Sequence, residues 1–474
     1  MSKKNNVIIG SGLSALMVAR MIKKYKNPEA KITIIEREAK IGGQFGSVDY
    51  GKHGHFDYGM HIYYESCIPE IDTLFTSLLP ENEWNILENN YKDVAGLFVN
   101  GKLQTLTPYV DLRNLSETKI KKYIAELFLN IQKQFGKTLP DGANAYQVLE
   151  YRFGKTITDE IFVPILEKLY HNHPSNLDEI ATQLTTINRI ALFNEDVILD
   201  LMNSAEIRAR VCFPNQYTMP PIRKNKQRGF YPKKYGMFRV LEKFKLELEN
   251  EGVEFYTSTM VNDLQIENDE IVSISVSDKE GIRKIGNIEN VYWTAGLPSL
   301  ASVLKIEMGQ MNYDKQLNTA YYVNILFDKN PMMDKLYYFY CFDKDYRTFR
   351  VTNYTNYCPK ANENRGFPIC LELWAHQGDV TDEKDILDLA LKELNSFKII
   401  NNSYKVTFAK VDKALGGGFP LPTLNNVGGM NAIREKIKQK NVKNLTSIGV
   451  YASKNVFFIK DVLTDAYNKI AYLN

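Results

Sequence analysis

The sequence predicts an α/β protein in which one α/β domain is interrupted by an antiparallel sheet and by a helical insertion. Three patterns predict this fold class. Residues 7–36 follow the order strand, glycine turn, helix and strand, residues 117–205 carry apolar side chains at helical spacing, and residues 300–410 alternate with period two. At about 150 residues per domain, the 474-residue chain predicts two or three domains.

The N-terminal segment has the sequence of a βαβ unit that binds a dinucleotide. An apolar strand over residues 7–9 leads into Gly10, which permits a tight turn, and Gly12, which permits close approach of a pyrophosphate. Ala15 lets the following helix lie close to the sheet. Glu36 follows the second predicted strand, where a carboxylate accepts hydrogen bonds from the adenosine ribose. The phosphates are then expected at the helix N-terminus.

Two stretches beyond this unit favour FAD over NAD and make the chain resemble a known family. Residues 41–44 have the sequence Ile-Gly-Gly-Gln, and residues 57–63 have the sequence Asp-Tyr-Gly-Met-His-Ile-Tyr. With these stretches the chain resembles the flavoproteins grouped around UDP-galactopyranose mutase, protoporphyrinogen oxidase and the flavin amine oxidases. The resemblance implies a Rossmann-type FAD-binding domain with an inserted antiparallel-sheet substrate domain and a helical insertion.

Later blocks extend the resemblance. Residues 228–237 resemble the family segment in which a proline and a glycine precede a long helix, and residues 252–261 resemble the strand whose backbone meets adenine, at Val261. Residues 444–449 and 461–466 resemble the strand and helix that close over the second phosphate and the ribityl chain. The FAD domain is therefore expected to be assembled from separated segments.

The resemblance implies a set of cofactor contacts and a division of the chain. The implied cofactor-binding residues are Gly10, Gly12, Leu13, Ser14, Ala15, Glu36, Arg37, Gly42, Gly43, Gln44, Gly59, Met60, His61, Val261, Gly449, Asp461 and Val462. The expected segments are 1–75, 206–299 and 416–474 for FAD binding, 76–116 and 300–415 for the substrate domain, and 117–205 for the helical insertion.

The candidate catalytic residues are His61 and Arg350. His61 matches the histidine of the mutase's Tyr-Gly-x-His-Ile loop, and a donor aimed at the flavin would stabilise negative charge on the reduced ring. A structural role in capping the turn at Gly59 is the alternative. Residues 348–352 resemble the mutase segment whose arginine faces the flavin and the substrate phosphates, which makes Arg350 the candidate anion contact. The alternative for Arg350 is a solvated arginine on a strand.

Tyrosines and a second basic group supply further candidates. The chain has 29 tyrosines, whose faces and hydroxyls suit sugar rings and bases, although tyrosines that alternate in a sheet are more often simply strand formers. We retain Tyr354 and Tyr451 as candidate substrate contacts because both lie beside cofactor-facing motifs. The basic residues from Arg223 to Lys226 are expected to form a solvated surface cluster.

Further positions in the C-terminal half can be compared with the mutase. Residues 419–423 resemble its Pro-x-Pro-Thr loop, and the glycines at 416–418 predict a hinge or a close-approach loop. Val450 stands where the mutase has an arginine that contacts the pyrophosphate, and Asn353 stands where it has an acid. The chain therefore departs from the mutase pattern at two positions near the expected substrate.

Local patterns predict the individual elements. Asn100 and Gly101 lie between two apolar runs and predict a type I′ hairpin within residues 90–108. Helical spacing predicts helices over residues 119–135, 145–153, 158–170, 177–193 and 383–397, and period-two alternation predicts strands over residues 321–327, 337–342, 348–353 and 370–374.

Composition narrows the classes of function. The formal net charge of +3 is small and mixed in sequence, so we expect no nucleic-acid partner. Five cysteines without CxxC spacing predict neither a disulfide framework nor a metal site, and they are expected to stay reduced in the cytoplasm. No stretch reaches the roughly 18 apolar residues of a membrane span, so no integral membrane segment is expected. The sequence is compatible with an oligomer.

Three hypotheses for function remain. The first is an FAD-dependent enzyme acting on a small anionic substrate, a nucleotide-linked sugar in bacterial glycan biosynthesis, by mutase-like or hydride-transfer chemistry at flavin N5. The second is an oxidase or desaturase of the amine oxidase or protoporphyrinogen oxidase type, which Phe56 and Asp57 favour. The third is a non-catalytic binding protein that FAD stabilises.

Overall fold

A computed structural model describes residues 3–221, 226–307, 314, 319–375, 379, 382–414 and 421–471. Its mixture of helices with parallel and antiparallel sheets confirms the predicted α/β class. Several predicted features lie outside the described residues: Arg223 and Lys224 of the basic cluster, the glycines at 416–418, and positions 419 and 420 of the Pro-x-Pro-Thr loop.

The strands, in chain order, are β1 (Asn5–Ile9), β2 (Lys31–Ile35), β3 (Ser47–Asp49), β4 (His55–Asp57), β5 (Tyr63–Tyr64), β6 (Trp84–Leu87), β7 (Ala95–Val99), β8 (Lys102–Gln104), β9 (Val110–Asp111), β10 (Ile190–Ala191), β11 (Gly229–Pro232), β12 (Val253–Tyr256), β13 (Met260–Glu267), β14 (Glu270–Asp278), β15 (Gly281–Gly286), β16 (Ile288–Trp293), β17 (Thr319–Phe327), β18 (Tyr338–Cys341), β19 (Thr348–Asn353), β20 (Phe367–Ala375), β21 (Val406–Lys413) and β22 (Leu445–Ser447).

The α-helices, in chain order, are α1 (Leu13–Met21), α2 (Pro69–Thr76), α3 (Glu117–Gln134), α4 (Ala145–Phe153), α5 (Lys155–Ile157), α6 (Val163–Tyr170), α7 (Glu195–Leu201), α8 (Ala205–Arg210), α9 (Phe238–Asn250), α10 (Leu297–Val303), α11 (Glu383–Ser396), α12 (Leu424–Gln439) and α13 (Ile459–Ala471).

The chain divides into two compact units. The first takes residues 1–86, 227–312 and 428–474, and the second takes residues 87–226 and 313–427. Each unit is therefore built from segments that are distant in sequence. The assignment of six segments to FAD binding, substrate binding and a helical insertion is a statement about function and stays a prediction.

The first unit is organised around a parallel sheet in the order β12-β2-β1-β16-β22. Strand β1 is buried along its whole length, which explains why its sequence is continuously apolar over residues 7–9. It pairs in parallel with β2 on one side, with Ile9 opposite Ile35, and with β16 on the other. Because parallel strands end at the same edge, the turn after β1 and Glu36 after β2 lie at one edge of this sheet.

The second unit contains a seven-stranded sheet in the order β21-β17-β20-β19-β18-β7-β8. Its pairings are antiparallel except for β18 with β7, which run parallel, so the predicted antiparallel sheet is in fact mixed. Asn100 and Gly101 have φ values of +54° and +69° between β7 and β8, as the predicted type I′ turn requires. Strand β21 extends the sheet beyond the strands that the pattern predicted.

One predicted helix is wrong. Residues 177–193 form a single 3₁₀ turn, Glu179–Thr182, followed by strand β10, instead of a continuous helix. The Asp178 carboxylate accepts a hydrogen bond from the Ile180 N–H and starts that short turn, while the Thr186 hydroxyl donates to the Pro108 carbonyl outside it. Strand β10 then pairs with β9, so contacts with a distant segment replace the helix that the apolar spacing predicted.

Candidate functional site

The turn between β1 and α1 contains two glycines that differ in backbone conformation and in packing. Gly10 has a φ of +100°, and a Cβ on it would lie 2.5 Å from the Thr294 Oγ1. Gly12 has an ordinary φ of −65°, and a Cβ on it would meet no described atom within 4 Å. Gly10 is therefore required by the fold, whereas Gly12 leaves an open face in front of the N-terminus of α1, the position where a pyrophosphate binds in this unit.

The predicted Gly-Gly pair lies against this turn. Gly42 donates its N–H to the Ser11 carbonyl at 3.0 Å, and its φ is +111°. A Cβ on Gly43 would lie 3.3 Å from the Gly12 Cα. The structure thus brings together the two glycine motifs that the sequence separates by about 30 residues, whereas the neighbouring Gln44 is exposed.

Glu36 lies at the end of β2 and is tied to the same turn. Its carboxylate accepts hydrogen bonds from the Ser11 N–H at 2.8 Å and from the Ser11 hydroxyl at 2.6 Å, and its other oxygen accepts from the Glu38 N–H at 2.8 Å. The adjacent Arg37 is exposed and pairs with Glu38 at 2.9 Å. A carboxylate has about four acceptor positions, so Glu36 keeps capacity for a further hydroxyl donor.

Thr294, in the segment 291–296 that resembles the family's return strand into the FAD domain, joins three chain segments of the first unit. Its N–H and its hydroxyl both donate to the Ile9 carbonyl at 2.8 Å. Gly10 packs on its Oγ1, and a Cβ on Gly449, whose φ is +131°, would lie 3.9 Å from its carbonyl oxygen. The glycine motifs from opposite ends of the chain therefore meet at one residue just after β16.

The remaining predicted cofactor contacts occupy several elements of the first unit. Val261 is half-buried on β13, opposite Val276, and the preceding Thr259 donates its N–H to the Glu36 carbonyl at 2.8 Å. At the start of α13, the Asp461 carboxylate accepts from the Phe458 N–H at 3.1 Å, and Val462 is buried. The structure thus links the segment that contains Val261 to Glu36, the residue predicted to contact the ribose.

Leu13, Ser14 and Ala15 form the first turn of α1, where Leu13 and Ala15 are buried. Their N–H groups belong to the positive end of the helix dipole, which favours a bound anion. Their contact with a cofactor stays a prediction.

A buried carboxylate that the motif comparison did not explain holds the His61 segment in place. Asp57 accepts a hydrogen bond from the Tyr231 hydroxyl at 2.6 Å, and both of its oxygens accept from the Met237 N–H, at 3.2 and 3.3 Å. Met237 is the N-cap of α9, where a negative charge is favourable. Residues 55–61 and 228–237, which the resemblance treated as separate blocks, are therefore one hydrogen-bonded assembly.

His61 follows this assembly and is half-buried. Its ring lies 5.1 Å from the ring of Phe45, which belongs to the 3₁₀ turn Gly43–Phe45. Gly59, with a φ of +78°, donates its N–H to the Asp57 carbonyl at 2.8 Å, so a backbone bond already closes the turn that His61 was alternatively expected to cap. Met60 is half-buried between them.

In the second unit, Arg350 is part of a buried ion pair. Its Nε and Nη2 donate to the two carboxylate oxygens of Glu372 at 2.6 and 2.9 Å, and the two side chains are only 16% and 8% exposed. Burial opposes the charged form, but Glu372 and the nearby Tyr340 outweigh it and raise the pKa of Arg350. Arg350 is thus not the solvated arginine of the alternative interpretation, and its charge is already balanced.

The two tyrosine candidates differ. Tyr354 is 0% exposed, so its side chain offers no surface to a substrate in this structure, against the prediction. Tyr451 is half-buried with a φ of +62° and lies next to Val450, which is 41% exposed. The Arg434 Nη1 donates to the Tyr451 carbonyl at 3.4 Å, which places a cation beside this turn that the sequence analysis missed because it lies on a distant helix.

The described residues contain neither a metal-binding cluster nor a membrane-spanning helix. Among the residues that the structure describes, no group of three or more His, Cys, Asp or Glu side chains is arranged to hold a metal ion. Within the same residues, no helix combines the length and the apolar character needed to cross a membrane.

Comparisons with known proteins agree with this geometry. Residues 8–78 match the family model of an NAD(P)-binding Rossmann-like domain. No curated protein matches the chain in sequence. Similar solved structures include reduced UDP-galactopyranose mutase, with a TM-score of 0.71, 17% identity and coverage of 99% of this chain and 95% of that chain. A putative protoporphyrinogen oxidase from Exiguobacterium sp. 255-15 has a TM-score of 0.68 and 14% identity, with coverage of 99% and 98%.

A third similar structure is the CLA-producing fatty acid isomerase from P. acnes, with a TM-score of 0.59, 12% identity and 99% coverage of both chains. At 17% identity or less, these likenesses define the fold. The chain therefore shares its fold with these solved structures. The resemblance predicted from the sequence, to the group that includes UDP-galactopyranose mutase and protoporphyrinogen oxidase, is confirmed at this level.

Proposed function

We propose that this protein is an FAD-dependent enzyme. The observation that carries the proposal is the open face at Gly12, in front of the N-terminus of α1, where a Cβ would meet no described atom within 4 Å. Gly10, the other glycine of this turn, is explained by its φ and its contact with Thr294, whereas the space in front of Gly12 is open to a ligand. Pyrophosphate suits it because N–H groups at a helix N-terminus favour an anion.

Further contacts in the first unit support FAD as the dinucleotide. Gly43 packs on Gly12, and Thr294 joins the glycine turns of the N-terminal and C-terminal segments. Arg434 lies beside the turn that contains Val450, where it can neutralise a phosphate in place of the arginine that the mutase has there. Glu36 keeps capacity for a ribose hydroxyl. We infer that these residues hold the adenosine and pyrophosphate portion of FAD.

The chemistry that a bound flavin supplies is reaction at its N5, by hydride transfer or in a redox-neutral rearrangement. His61 is the residue of this chain proposed to donate a hydrogen bond toward the ring, and Phe45, at 5.1 Å, supports its imidazole. The proposed substrate is a small anionic molecule, with a nucleotide-linked sugar of bacterial glycan biosynthesis as the specific candidate. Arg350 stays the predicted substrate contact.

A specific observation favours the second candidate, an oxidase or desaturase that takes hydride from a substrate C–H bond. The charge of Arg350 is balanced by Glu372, and the rings of Tyr338, Tyr340 and Phe349 lie 5.8 to 5.9 Å from its guanidinium. Such surroundings are aromatic and close to neutral, which suits an apolar substrate better than a diphosphate. Asp57 no longer supports the oxidase or desaturase hypothesis, because its hydrogen bonds to Tyr231 and Met237 explain an aspartate at this position.

An anaerobic titration distinguishes the candidates. Purified protein is mixed with nucleotide sugars, amines and apolar carboxylic acids, and the flavin absorbance is followed. Bleaching in proportion to added substrate supports the oxidase or desaturase. Turnover of a nucleotide sugar only after chemical reduction, without net oxidation, supports the mutase-like reaction. A protein that binds FAD but shows neither result with any of these substrates favours the non-catalytic binding protein instead.

A further inference from the structure

The second unit contains a cavity of about 630 Å³ that none of the predicted site residues lines. It lies between the C-terminal part of α6 and the turn that joins β18 to β19. Its volume is within the usual range of small-molecule sites. The lining residues are Pro164, Glu167, Lys168, Leu169, His171, Asn172, His173, Lys344, Tyr346, Arg347, Phe349 and Trp374.

A half-buried cation, Lys168, lines this cavity. The Lys168 Nζ donates to the carbonyl oxygens of Cys341 and Thr348 at 2.7 and 2.6 Å, so both of these acceptors are neutral. An ammonium group has three donors, and these bonds use two of them. The nearby Glu393 carboxylate instead accepts from the N–H groups of Arg347 and Thr348. Burial lowers the pKa of Lys168, against the opposing effects of Cys341, Glu393 and Asp343.

Arg347 and Lys344 carry further positive charge on the cavity wall. The Arg347 side chain is 49% exposed and pairs with Asp379 through Nη2 at 3.0 Å, which leaves other guanidinium donors available. Glu167 is the acid that lines the cavity. Burial lowers the pKa of His171, and Arg347 and Lys168 lower it further against the opposing effect of Asp379. The field at His171 is therefore positive.

An aromatic surface forms another wall. Phe349 and Trp374 are stacked with their ring centroids 4.0 Å apart and their planes at 20°. Trp374 is half-buried and lines the cavity together with Tyr346. Flat rings of this kind stack on a planar ligand. The cavity thus combines half-buried and exposed cations with an aromatic face.

We propose that this cavity binds an anion that carries a flat ring, with the negative group between Lys168 and Arg347 and the ring against Trp374. The ligand class is an aromatic or heterocyclic phosphate or carboxylate. The site extends beyond the proposed flavin chemistry, because it is built entirely from residues of the second unit and binding there requires no flavin reaction.

Tryptophan fluorescence of the full-length protein tests this proposal. Of the three tryptophans, Trp84 and Trp293 are each 3% exposed, so Trp374 is the one that a cavity ligand would contact. Phenyl phosphate is titrated beside its two halves, inorganic phosphate and phenol, and benzoate distinguishes a carboxylate from a phosphate. We expect phenyl phosphate to bind about tenfold more tightly than either phosphate or phenol alone, because charge and stacking act together.

Variants assign the binding to this cavity. Trp374→Phe should abolish the fluorescence change while calorimetry still detects binding. Arg347→Gln, at a half-exposed position that should not disturb folding, is expected to weaken anion binding about tenfold and to leave phenol binding unchanged. Lys329→Gln, which removes an exposed cation outside the cavity, is the matched control and should have no effect. Equal affinities for phenyl phosphate and its two halves, or equal effects of Arg347→Gln and Lys329→Gln, would overturn the proposal.

Discussion

At the scale of single residues, Gly10 and Gly12 show that one motif can serve two purposes. Gly10 has a positive φ and packs against Thr294, whereas Gly12 has an ordinary φ and an open face. The sequence predicted that both glycines matter, because their spacing belongs to a known motif. It could not separate their roles, since Thr294 is about 280 residues away in the chain and only the fold brings it to Gly10.

Replacing Gly10 should therefore damage folding itself. Gly10→Ala places a Cβ 2.5 Å from Thr294 Oγ1 at a φ of +100°, and we expect a loss of about 3 kcal/mol of unfolding free energy. Gly428→Ala is the control, because a Cβ there meets no described atom within 4 Å. Urea denaturation of both variants measures the difference. Equal stability of the two variants would show that the contact with Thr294 is unimportant.

The buried carboxylate of Asp57 makes a second prediction at this scale. Asp57→Ala leaves the Tyr231 hydroxyl and the Met237 N–H without their acceptor, so we expect a loss of about 3 kcal/mol, whereas Asp57→Asn keeps an acceptor and should lose about 1 kcal/mol. Asp49→Ala, in the same β3–β4 pair but exposed, should change stability by less than about 0.5 kcal/mol. Similar urea midpoints for Asp57→Ala and Asp49→Ala would contradict the proposed assembly.

At the scale of elements, local patterns succeeded where the local sequence decides the structure. The Asn100-Gly101 turn and helix α11 were predicted because turn chemistry and apolar spacing are local properties. The helix expected over residues 177–193 failed because Thr186 and Ile190 bond to a strand segment about 80 residues earlier, and apolar spacing does not reveal such distant contacts. Likewise, the partner of Arg350 on the neighbouring strand follows from strand register and could not be predicted from either strand alone.

Asp412, on the edge strand β21, should make the stability of the fold depend on pH. Burial raises the pKa of Asp412 from 3.8 to about 6. A raised folded-state pKa stabilises the fold below about pH 4, and this contribution is lost as the pH rises through about 6. Asp412→Asn removes the titration, so it should gain about 1 kcal/mol relative to the natural protein between these pH values, a figure reduced for screening at a half-exposed site. Denaturation at both pH values measures this change, and a difference that does not vary with pH would contradict it.

At the scale of the whole molecule, the sequence predicted a nucleotide-binding domain assembled from distant segments, because recognisable motifs occur in each of them. The structure places these motifs together in the first unit, at Thr294 and at Asp57. The cavity at Lys168 was not predicted, since its cations and its aromatic wall come from α6 and from strands far away in sequence. Motifs therefore indicated the proposed cofactor site and gave no signal for the cavity at Lys168.

Binding of FAD should stabilise the folded state of the whole chain. FAD that binds the folded protein alone should stabilise it by about 2.7 kcal/mol at a free concentration of 100 times its Kd. Thermal unfolding with and without added FAD measures the shift, and NAD serves as the control dinucleotide. A larger shift with NAD than with FAD would contradict the choice of FAD.

The most direct test of the central claim is the flavin content of the purified protein compared with that of Gly12→Val. The valine side chain would occupy the open face at an ordinary φ, so the variant should fold but exclude the pyrophosphate. We predict that the natural protein carries FAD, identified after release by chromatography, and that Gly12→Val has an unchanged circular dichroism spectrum and no flavin. A colourless natural protein that FAD does not stabilise, or a Gly12→Val variant that retains full flavin, would contradict the account.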